Sequence, residues 1–274
     1  MPELPEVEQV RLSLLPHIKG KTIVKAEIRL PRMVHHPAVP EFIAGVEGRT
    51  ITDVRRKGKY LTLLLDDGHF VLAHLRMTGA LLVTPCEAEE PPFARIRFTL
   101  SDRTDLWFTD IRTFGTLCLC GGGDPWQDKG YAGLGPEPLT PEFTEAYLKA
   151  KLKKSCRMVK CFLLDQQKIA GMGNIYADEA LAVAGIRPNR YTDTLTAKQI
   201  RALYGAVSQV IAQGLRNRGT TFRNYQDADG QMGNNKDFLL VYGRKGLPCK
   251  KCGAILKQIK VGGRGSVYCP HCQK

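Results

Sequence analysis

The sequence predicts a multidomain α+β protein, and three observations carry this prediction. Short β-rich runs separated by turn signals follow one another closely from residue 22 to residue 120. After a segment rich in glycine and proline the pattern becomes helical, and four cysteines are grouped at the C-terminus. Many short strands at close spacing are typical of an antiparallel sandwich or barrel, so the first half is expected to be β-rich and the second half helical with a metal-binding hairpin.

Composition indicates a polyanionic partner. The chain has 274 residues, enough for one large domain or two ordinary ones, and its 40 Lys+Arg against 27 Asp+Glu give a net charge of +13. Nucleic acid is favoured over an acidic membrane face because no amphipathic Lys-rich helix with an aromatic face stands out. No apolar run of about 18 residues and no charged-then-apolar leader occurs, so we expect no membrane association and a cytoplasmic location. Five of the nine cysteines are scattered, which fits a reducing compartment.

The first helix is predicted over residues 5–18, where apolar side chains recur at helical spacing before Lys19-Gly20. Pro16 inside it is expected to end or bend the last turn. The helix is expected to pack on an edge or end of the β structure. Strands are predicted at residues 22–30, 50–55, 60–65, 70–75, 80–83, 96–100, 106–109 and 116–120.

The Gly/Pro-rich stretch between residues 121 and 141 is the best candidate for a domain boundary. The helices predicted after it span residues 141–152, 157–165, 175–184 and 197–216. The last begins with a capping box formed by Thr196 and Gln199. We therefore expect a β domain, a linker, a helical domain and a cysteine-bearing segment, over residues 1–130, 131–140, 141–237 and 238–274.

The four C-terminal cysteines follow the spacing C-x2-C-x16-C-x2-C, with candidate metal ligands Cys249, Cys252, Cys269 and Cys272. This spacing is typical of a tetrahedral structural zinc site, and four thiolates leave the metal no open position for catalysis. Since a small hairpin buries little apolar surface, one Zn2+ ion is expected to supply its folding free energy. Residues 238–274 contain basic side chains and no acidic one, which indicates a phosphate-binding surface.

The chain opens with Met1-Pro2-Glu3, and removal of Met1 would expose a secondary amine followed by a carboxylate. Such an amine can attack a carbon that bears a leaving group and form an iminium, while an adjacent carboxyl transfers the proton. The alternative is an ordinary exposed chain start, because termini are usually poorly ordered.

Three further motifs fit a nucleic-acid enzyme. A glycine-rich turn leads into a helix that Asn174 is expected to cap, and such a helix start attracts phosphate. Lys59 directly precedes a predicted strand, so rigid scaffold would hold it. Two loop tips place Met77 and Phe114 close to a glycine, which suits wedging into a base stack; ordinary core positions are the alternative.

Together these features resemble the bacterial formamidopyrimidine-DNA glycosylases, from Met1 to Lys274. The residues that carry the resemblance are Pro2-Glu3-Leu4-Pro5-Glu6-Val7-Glu8, Lys59-Tyr60-Leu61, Gly173-Asn174-Ile175-Tyr176 and the terminal finger with Arg264. It implies an N-terminal β-sandwich, a helix-two-turn-helix domain with a zinc finger, and double-stranded DNA bound in the cleft between them. A monomer is expected.

The resemblance also implies base-excision DNA repair. Oxidised purines such as 8-oxoguanine and formamidopyrimidines would be excised, and the abasic strand would be cleaved by β,δ-elimination. Leu4 argues against the related endonuclease VIII branch, which favours oxidised pyrimidines and typically carries glycine at this position. A non-catalytic damaged-DNA binder is the other alternative, although it would need none of Pro2, Glu3 and Lys59.

For the catalytic residues the resemblance implies distinct roles. Pro2 would be the nucleophile at C1′ and Glu3 the general acid/base. Lys59 would donate the proton for β-elimination and contact phosphate. Arg264 would assist δ-elimination and bind phosphate.

For DNA binding the resemblance implies two groups of side chains. The DNA backbone around the lesion would be held by His74, Asn174 and Tyr242, and the gap left by the flipped base would be filled by Met77, Arg112 and Phe114. Arg112 would face the orphaned cytosine. Residues 219–236 match the loop that closes over the lesion. Where many relatives carry a His-rich stretch, this chain has Pro92-Phe93-Ala94-Arg95, so no histidine is assigned there.

Overall fold

The computed structural model describes residues 2–124, 126–222 and 225–274. Three sequence expectations touch positions outside the described residues: removal of Met1, the Gly/Pro-rich boundary at Pro125, and the 219–236 loop at Arg223 and Asn224. The chain divides into two compact units. The first unit comprises Met1–Ala132 with Arg218–Asn234, and the second comprises Gly133–Asn217 with Asn235–Lys274.

The first unit contains the strands of the two large sheets and the second contains most of the helices. The helices of the first unit are α1 (Leu4–Ile18), α2 (Val39–Val46) and the single turn α3 (Lys129–Ala132). Its strands are β1 (Ile23–Ile28), β2 (Val34–His36), β3 (Ile51–Lys57), β4 (Tyr60–Leu65), β5 (His69–His74), β6 (Gly79–Pro85), β7 (Ala94–Leu100), β8 (Thr104–Asp110) and β9 (Thr116–Gly121). The second unit contains α4 (Glu145–Lys153), α5 (Val159–Leu163), α6 (Asn174–Ala184), α7 (Ala197–Arg216), β10 (Lys257–Val261) and β11 (Arg264–Tyr268). Short 3-10 turns span Pro31–Met33, Thr192–Thr194 and Asn235–Phe238.

Two separate sheets form the first unit, in the strand orders β1-β7-β8-β6 and β2-β9-β5-β4-β3. Side chains from both sheets and from α1 meet in one hydrophobic core, which confirms a sandwich with a packed helix. Each sheet keeps two edges, so the barrel alternative was wrong. The described strands pair antiparallel except β2, a three-residue edge strand that runs parallel to β9.

Helix α1 begins at Leu4, one residue before the predicted start, and ends at Ile18 as expected. Pro16 lies within its last turn, and the helix continues for only two residues beyond it. A proline there removes one backbone hydrogen bond near a helix end, where the loss is smallest. Val7, Val10 and Leu14 are almost fully buried, so this face attaches the N-terminus to the sandwich.

In the second unit, α7 has the predicted capping box. The Gln199 N–H donates to Thr196 Oγ1 at 3.2 Å, and the Thr196 N–H donates to Gln199 Oε1 at 3.0 Å. The expectation that Asn174 caps α6 was wrong: extended Gly173 is the N-cap and Asn174 is the first helical residue. No helix in the described part of the chain has the length and apolar character needed to cross a bilayer.

Candidate active site and zinc finger

The N-terminal residues Pro2 and Glu3 are buried, unlike those of most chain starts. The carboxylate of Glu6, itself 1% exposed, holds them in place. One Glu6 oxygen accepts a 2.8 Å hydrogen bond from the Glu3 N–H, and the other accepts a 2.7 Å bond from the Thr220 N–H. Gly219 has a φ of +81°, and an added Cβ would lie 2.9 Å from Glu6 Cγ. One carboxylate therefore joins the N-terminus to the segment that follows residue 218.

Lys59 lies in the two-residue turn between β3 and β4 and is only 5% exposed. Arg56 connects this turn to α1, because its Nε donates to Glu8 Oε2 at 2.8 Å and its Nη1 donates to Gly58 O at 3.1 Å. Burial alone would raise the pKa of Glu8, but hydrogen bonds from Arg11 and Arg56 outweigh it and lower the pKa. The Lys59 turn is thus attached to the helix that begins beside Glu3.

His74 is buried at the end of β5, with its ring edge-to-face to Tyr60 at a centroid distance of 4.5 Å. Its Nδ1 accepts a 2.9 Å hydrogen bond from the Arg76 N–H, so Nε2 carries the proton of the neutral ring. Burial, together with the positive charges of Arg76 and Lys59, lowers the pKa of His74 to about 3. His74 is therefore a neutral hydrogen-bond donor, suited to a phosphate oxygen.

The His74 pKa makes stability depend on pH. A histidine in the unfolded chain has a pKa of about 6.5. The stability that neutral His74 contributes is therefore fully present above that pH and is lost as the pH falls towards the pKa of His74 in the folded protein. Between about pH 8 and pH 5, His74 should contribute a loss of about 2 kcal/mol in the free energy of unfolding. We expect the His74→Gln variant to lose less stability over this interval, measured by chemical denaturation of both proteins. The same pH dependence in both would contradict the assignment.

Met77 and Phe114 are 44% and 52% exposed, so the core alternative for these residues was wrong. Arg112 joins them: its Nη1 lies 2.9 Å from Met77 Sδ, and its guanidinium lies 4.9 Å from the centre of the Phe114 ring. The three form an exposed Met77–Arg112–Phe114 cluster. Met77 and Phe114 line a cavity of about 670 Å3 together with Arg32 and Arg76. A basic cavity next to exposed apolar side chains suits the backbone and bases of DNA.

Asp110, for which the sequence had suggested no role, organises the loop that carries Met77 and the loop that carries Arg112 and Phe114. It is 1% exposed at the end of β8. Oδ1 accepts from the Thr78 hydroxyl and, at 3.1 Å, from the Arg112 N–H, while Oδ2 accepts from the Gly115 N–H at 2.7 Å. The signal for its role was an aspartate directly before a turn, a position where side-chain oxygens commonly accept backbone N–H bonds.

We expect the Asp110→Asn variant to weaken binding to damaged duplex about tenfold, because the new NH2 group would face a backbone donor and leave a buried N–H unsatisfied. Asp105→Asn is the matched control: Asp105 is also 1% exposed on β8 but bonds to Arg97 and Thr99 instead. Fluorescence anisotropy of lesion-containing duplex would measure both. Equal losses would indicate a general stability effect and contradict a role in loop placement.

In the second unit, Asn174 is the first residue of α6, and the backbone of Tyr242 is bound to the middle of the same helix. Asn174 Nδ2 lies 3.5 Å from Gly265 O, and its Oδ1 has no hydrogen-bond partner among the described residues. Glu179 of α6 accepts the backbone N–H groups of Leu240, Val241 and Tyr242 at 2.7, 2.9 and 2.8 Å. Burial raises the pKa of Glu179, and these three donors partly oppose the shift. Glu179 thereby fixes the backbone that carries Tyr242.

Arg264 is exposed at the start of β11, and a buried ion pair anchors this strand. Lys160 Nζ lies 2.6 Å from Asp178 Oδ1, and both side chains are 0% exposed. Lys160 also donates to Gly265 O at 3.0 Å and to Ser266 Oγ at 2.7 Å, while Asp178 Oδ2 accepts from the Val267 N–H at 3.1 Å. Burial raises the pKa of Asp178 to about 6, although the Lys160 charge opposes the rise.

The four candidate zinc ligands lie together, with all Sγ atoms within 4.8 Å of one another and those of Cys252 and Cys269 3.5 Å apart. Four thiolates bound at ~2.3 Å around one tetrahedral ion require similar separations. The Lys251 and Cys272 N–H groups point at Cys249 and Cys269 Sγ, at 3.4 and 3.3 Å, which favours thiolates. The residues therefore fit one structural zinc ion.

Comparison with protein-family models gives three matches along the chain. Residues 1–117 match the formamidopyrimidine-DNA glycosylase N-terminal domain. Residues 134–226 match the formamidopyrimidine-DNA glycosylase H2TH domain, and residues 246–274 match the zinc finger found in FPG and IleRS.

Full-length relatives give the same result. The formamidopyrimidine-DNA glycosylases of Pelotomaculum thermopropionicum and Bacillus subtilis are 44% and 42% identical to this chain, covering 100% of it and 99% of their own length. A Lactococcus lactis FPG mutant in complex with Fapy-dG containing DNA superposes with a TM-score of 0.93 at 35% identity, covering 100% of both chains. The MutM (FPG) protein of Thermus thermophilus gives 0.90 at 40% identity, covering 99% of this chain and 98% of its own. The chain therefore belongs to the formamidopyrimidine-DNA glycosylase family.

Proposed function

We propose that this protein is a bifunctional base-excision repair enzyme that removes oxidised purines from DNA and then cleaves the strand at the abasic site. The observation that carries the proposal is the buried Pro2-Glu3 start, held by Glu6. Relatives named for formamidopyrimidine excision, and one solved with Fapy-dG containing DNA, support the substrate class.

Base removal would begin at the amine of Pro2, once Met1 has been removed. The nitrogen attacks C1′ of the damaged nucleoside, the glycosidic bond breaks, and the base leaves with the bonding electrons and takes up a proton. Glu3 is the group adjacent to the amine, and we assign to it the proton transfers that open the sugar ring and give the iminium. The iminium acts as an electron sink and acidifies C2′.

Strand cleavage would follow from this iminium. Loss of a C2′ proton expels the 3′ phosphate in β-elimination, and a second elimination expels the 5′ phosphate. We assign Lys59 to proton transfer and phosphate binding in the first step, because its burial on a short turn holds the amine in a fixed place. Arg264 is assigned to the second step, and the exposed guanidinium on an anchored strand suits a phosphate.

The DNA-binding residues have separate tasks in the proposal. The exposed Met77–Arg112–Phe114 cluster would fill the gap left by the flipped nucleotide, with Arg112 facing the unpaired cytosine. Phosphates flanking the lesion would be bound by His74, Asn174 and Tyr242. A neutral His74 donates a hydrogen bond without adding charge, whereas the arginines supply the electrostatic attraction.

Cleavage of oligonucleotides tests the proposal. Duplexes with 8-oxoguanine, a formamidopyrimidine, an oxidised pyrimidine or no lesion would be compared side by side. We expect excision of the two purine lesions followed by β,δ-elimination products. Preference for the pyrimidine lesion would instead indicate an endonuclease VIII-like enzyme, and tight binding without cleavage would indicate a damage binder.

The net charge of +13 leads to a further prediction. Binding to undamaged duplex should weaken steeply as salt increases, and Arg264→Ala should reduce the slope of log K against log salt by about one unit. Arg201→Ala is the control. The Arg201 side chain is 79% exposed, but its charge is paired with the Glu145 carboxylate at 3.3 Å, so this variant should keep the slope of the unaltered protein. An affinity that stays flat between low and physiological salt would count against phosphate binding by basic side chains.

The same proposal places the enzyme in the bacterial cytoplasm as a monomer associated with nucleoid DNA. We also propose that residues 1–130, 141–237 and 238–274 act as catalytic, helix-two-turn-helix and zinc-finger modules, with residues 131–140 as the linker. Limited proteolysis would test the boundaries, and sedimentation would test the monomer.

A further inference from the structure

Arg264 directly follows a tight hairpin turn in the zinc finger. Val261 pairs with Arg264, so Gly262 and Gly263 alone connect β10 to β11. Both have positive φ, +54° and +78°, as two-residue hairpin turns commonly require. Gly262 lies only two residues before Arg264, so a displacement of Gly262 is expected to move the Arg264 backbone as well.

The two glycines differ in their surroundings. A Cβ added to Gly262 would lie 2.6 Å from the Sγ of Cys161, whereas a Cβ added to Gly263 would meet no atom of the described residues within 4 Å. Gly262 therefore packs directly on the Cys161 thiol, and Gly263 is open. Cys161 belongs to α5, is half-buried and is not one of the four clustered cysteines.

Its neighbour Lys160 contacts the hairpin on the other side of Arg264, through Gly265 O and Ser266 Oγ. Two consecutive residues of α5 thus contact the hairpin on both sides of Arg264. Cys161 contacts Gly262, two residues before Arg264, and Lys160 bonds to the two residues that follow it. Lys160 forms hydrogen bonds and carries a charge, while Cys161 makes a van der Waals contact whose distance depends on the size of its side chain. These contacts hold the backbone on both sides of Arg264, while the Arg264 side chain is exposed.

We propose that Cys161 is a positioning residue for Arg264: the volume of its side chain sets the position of the Gly262-Gly263 turn and hence of the guanidinium. The inference rests on the proposed function, in which Arg264 binds phosphate and assists δ-elimination. A larger group at this contact displaces the turn and impairs the second elimination. The chemical step of base excision depends on Pro2 and Glu3, so once the DNA is bound its rate is unaffected.

The test uses the full-length zinc-loaded protein and four variants: Gly262→Ala, Gly263→Ala, Gly262→Ala combined with Cys161→Ala, and Cys161→Met alone. Both alanines carry the strain of positive φ, but only the one at residue 262 meets the thiol. On an oligonucleotide with a pre-formed abasic site, we expect Gly262→Ala to lower the δ-to-β product ratio about fivefold relative to Gly263→Ala, and Cys161→Ala to restore most of the loss. Cys161→Met in the native background should act like Gly262→Ala.

Zinc content and the single-turnover rate of 8-oxoguanine excision at saturating enzyme are measured in parallel and should not change. Equal ratios for the two single glycine variants, or no rescue by Cys161→Ala, would overturn the inference. Affinity for a duplex containing an uncleavable abasic analogue gives a second readout, expected to follow the same order among the variants. If the unaltered protein makes no δ product, the chemistry assigned to Arg264 is wrong, and the order of these affinities still decides whether Cys161 positions it.

Discussion

Replacing Cys249 with serine is expected to release zinc and to weaken DNA binding by about two orders of magnitude, because several phosphate contacts are lost together. The apolar core of the finger is small and consists of Val241, Leu256, Val267 and Cys269. Structural zinc contributes about 10–16 kcal/mol of apparent binding free energy in comparable small domains. Without it the β10–β11 hairpin should unfold, although Lys160 and Asp178 hold one of its strands.

Metal analysis and DNA titration of the purified protein would measure this effect. Cys156→Ser is the matched control, because Cys156 is exposed and lies outside the cysteine cluster. It should retain one zinc ion and full affinity. Tight DNA binding by zinc-free Cys249→Ser protein would show that the finger is dispensable, contrary to this account.

A chain that keeps a residue ahead of Pro2 is expected to lose base excision and strand cleavage together, by about 10⁴-fold or more, as when a catalytic nucleophile is removed. A peptide nitrogen has no usable lone pair, so it cannot attack C1′. Binding to damaged DNA should change far less, since the Met77–Arg112–Phe114 cluster and the finger are unaltered. The control is the same protein after a protease has removed the preceding residue, so that Pro2 is the first residue of the chain.

Glu3→Gln should separate the two activities. We expect it to suppress base release from intact lesions while part of the cleavage at pre-formed abasic sites survives, because there the base has already gone. Gln also keeps the size of the buried side chain. Equal loss of both activities would indicate a structural role for Glu3 at the start of α1.

The sequence predicted the strands that became β1 and β3–β9 and the helices α1 and α4–α7, because each has clear periodicity and turn signals. It missed β2, α2 and the single turn α3. Strand β2 has three residues, too few for an alternating pattern, and α2 begins at Val39 with Pro40 in its first turn, in a segment that reads as a loop. The cap of α6 was assigned to Asn174 because asparagine is a common cap, but the extended conformation of Gly173 moved the helix start by one residue.

The residues assigned to chemistry could be read from local motifs, whereas the residues that hold them could not. Glu6 bonds to Thr220 across 214 positions, and Lys160 bonds to Gly265 across 105. Such pairs leave no local spacing to detect. The available signal was a charged residue within an apolar helical stretch, as for Lys160, Asp178 and Glu179, since a buried charge needs a partner.

Borohydride trapping tests most directly whether the Pro2 amine forms the covalent intermediate. The hydride reduces the iminium to a stable amine and cross-links the protein to DNA that carries 8-oxoguanine. Lys59→Ala should slow the reaction without moving the cross-link, because Lys59 is assigned to proton transfer. After digestion, mass spectrometry should find the adduct on the N-terminal peptide that begins at Pro2. An adduct on Lys59 would contradict the account.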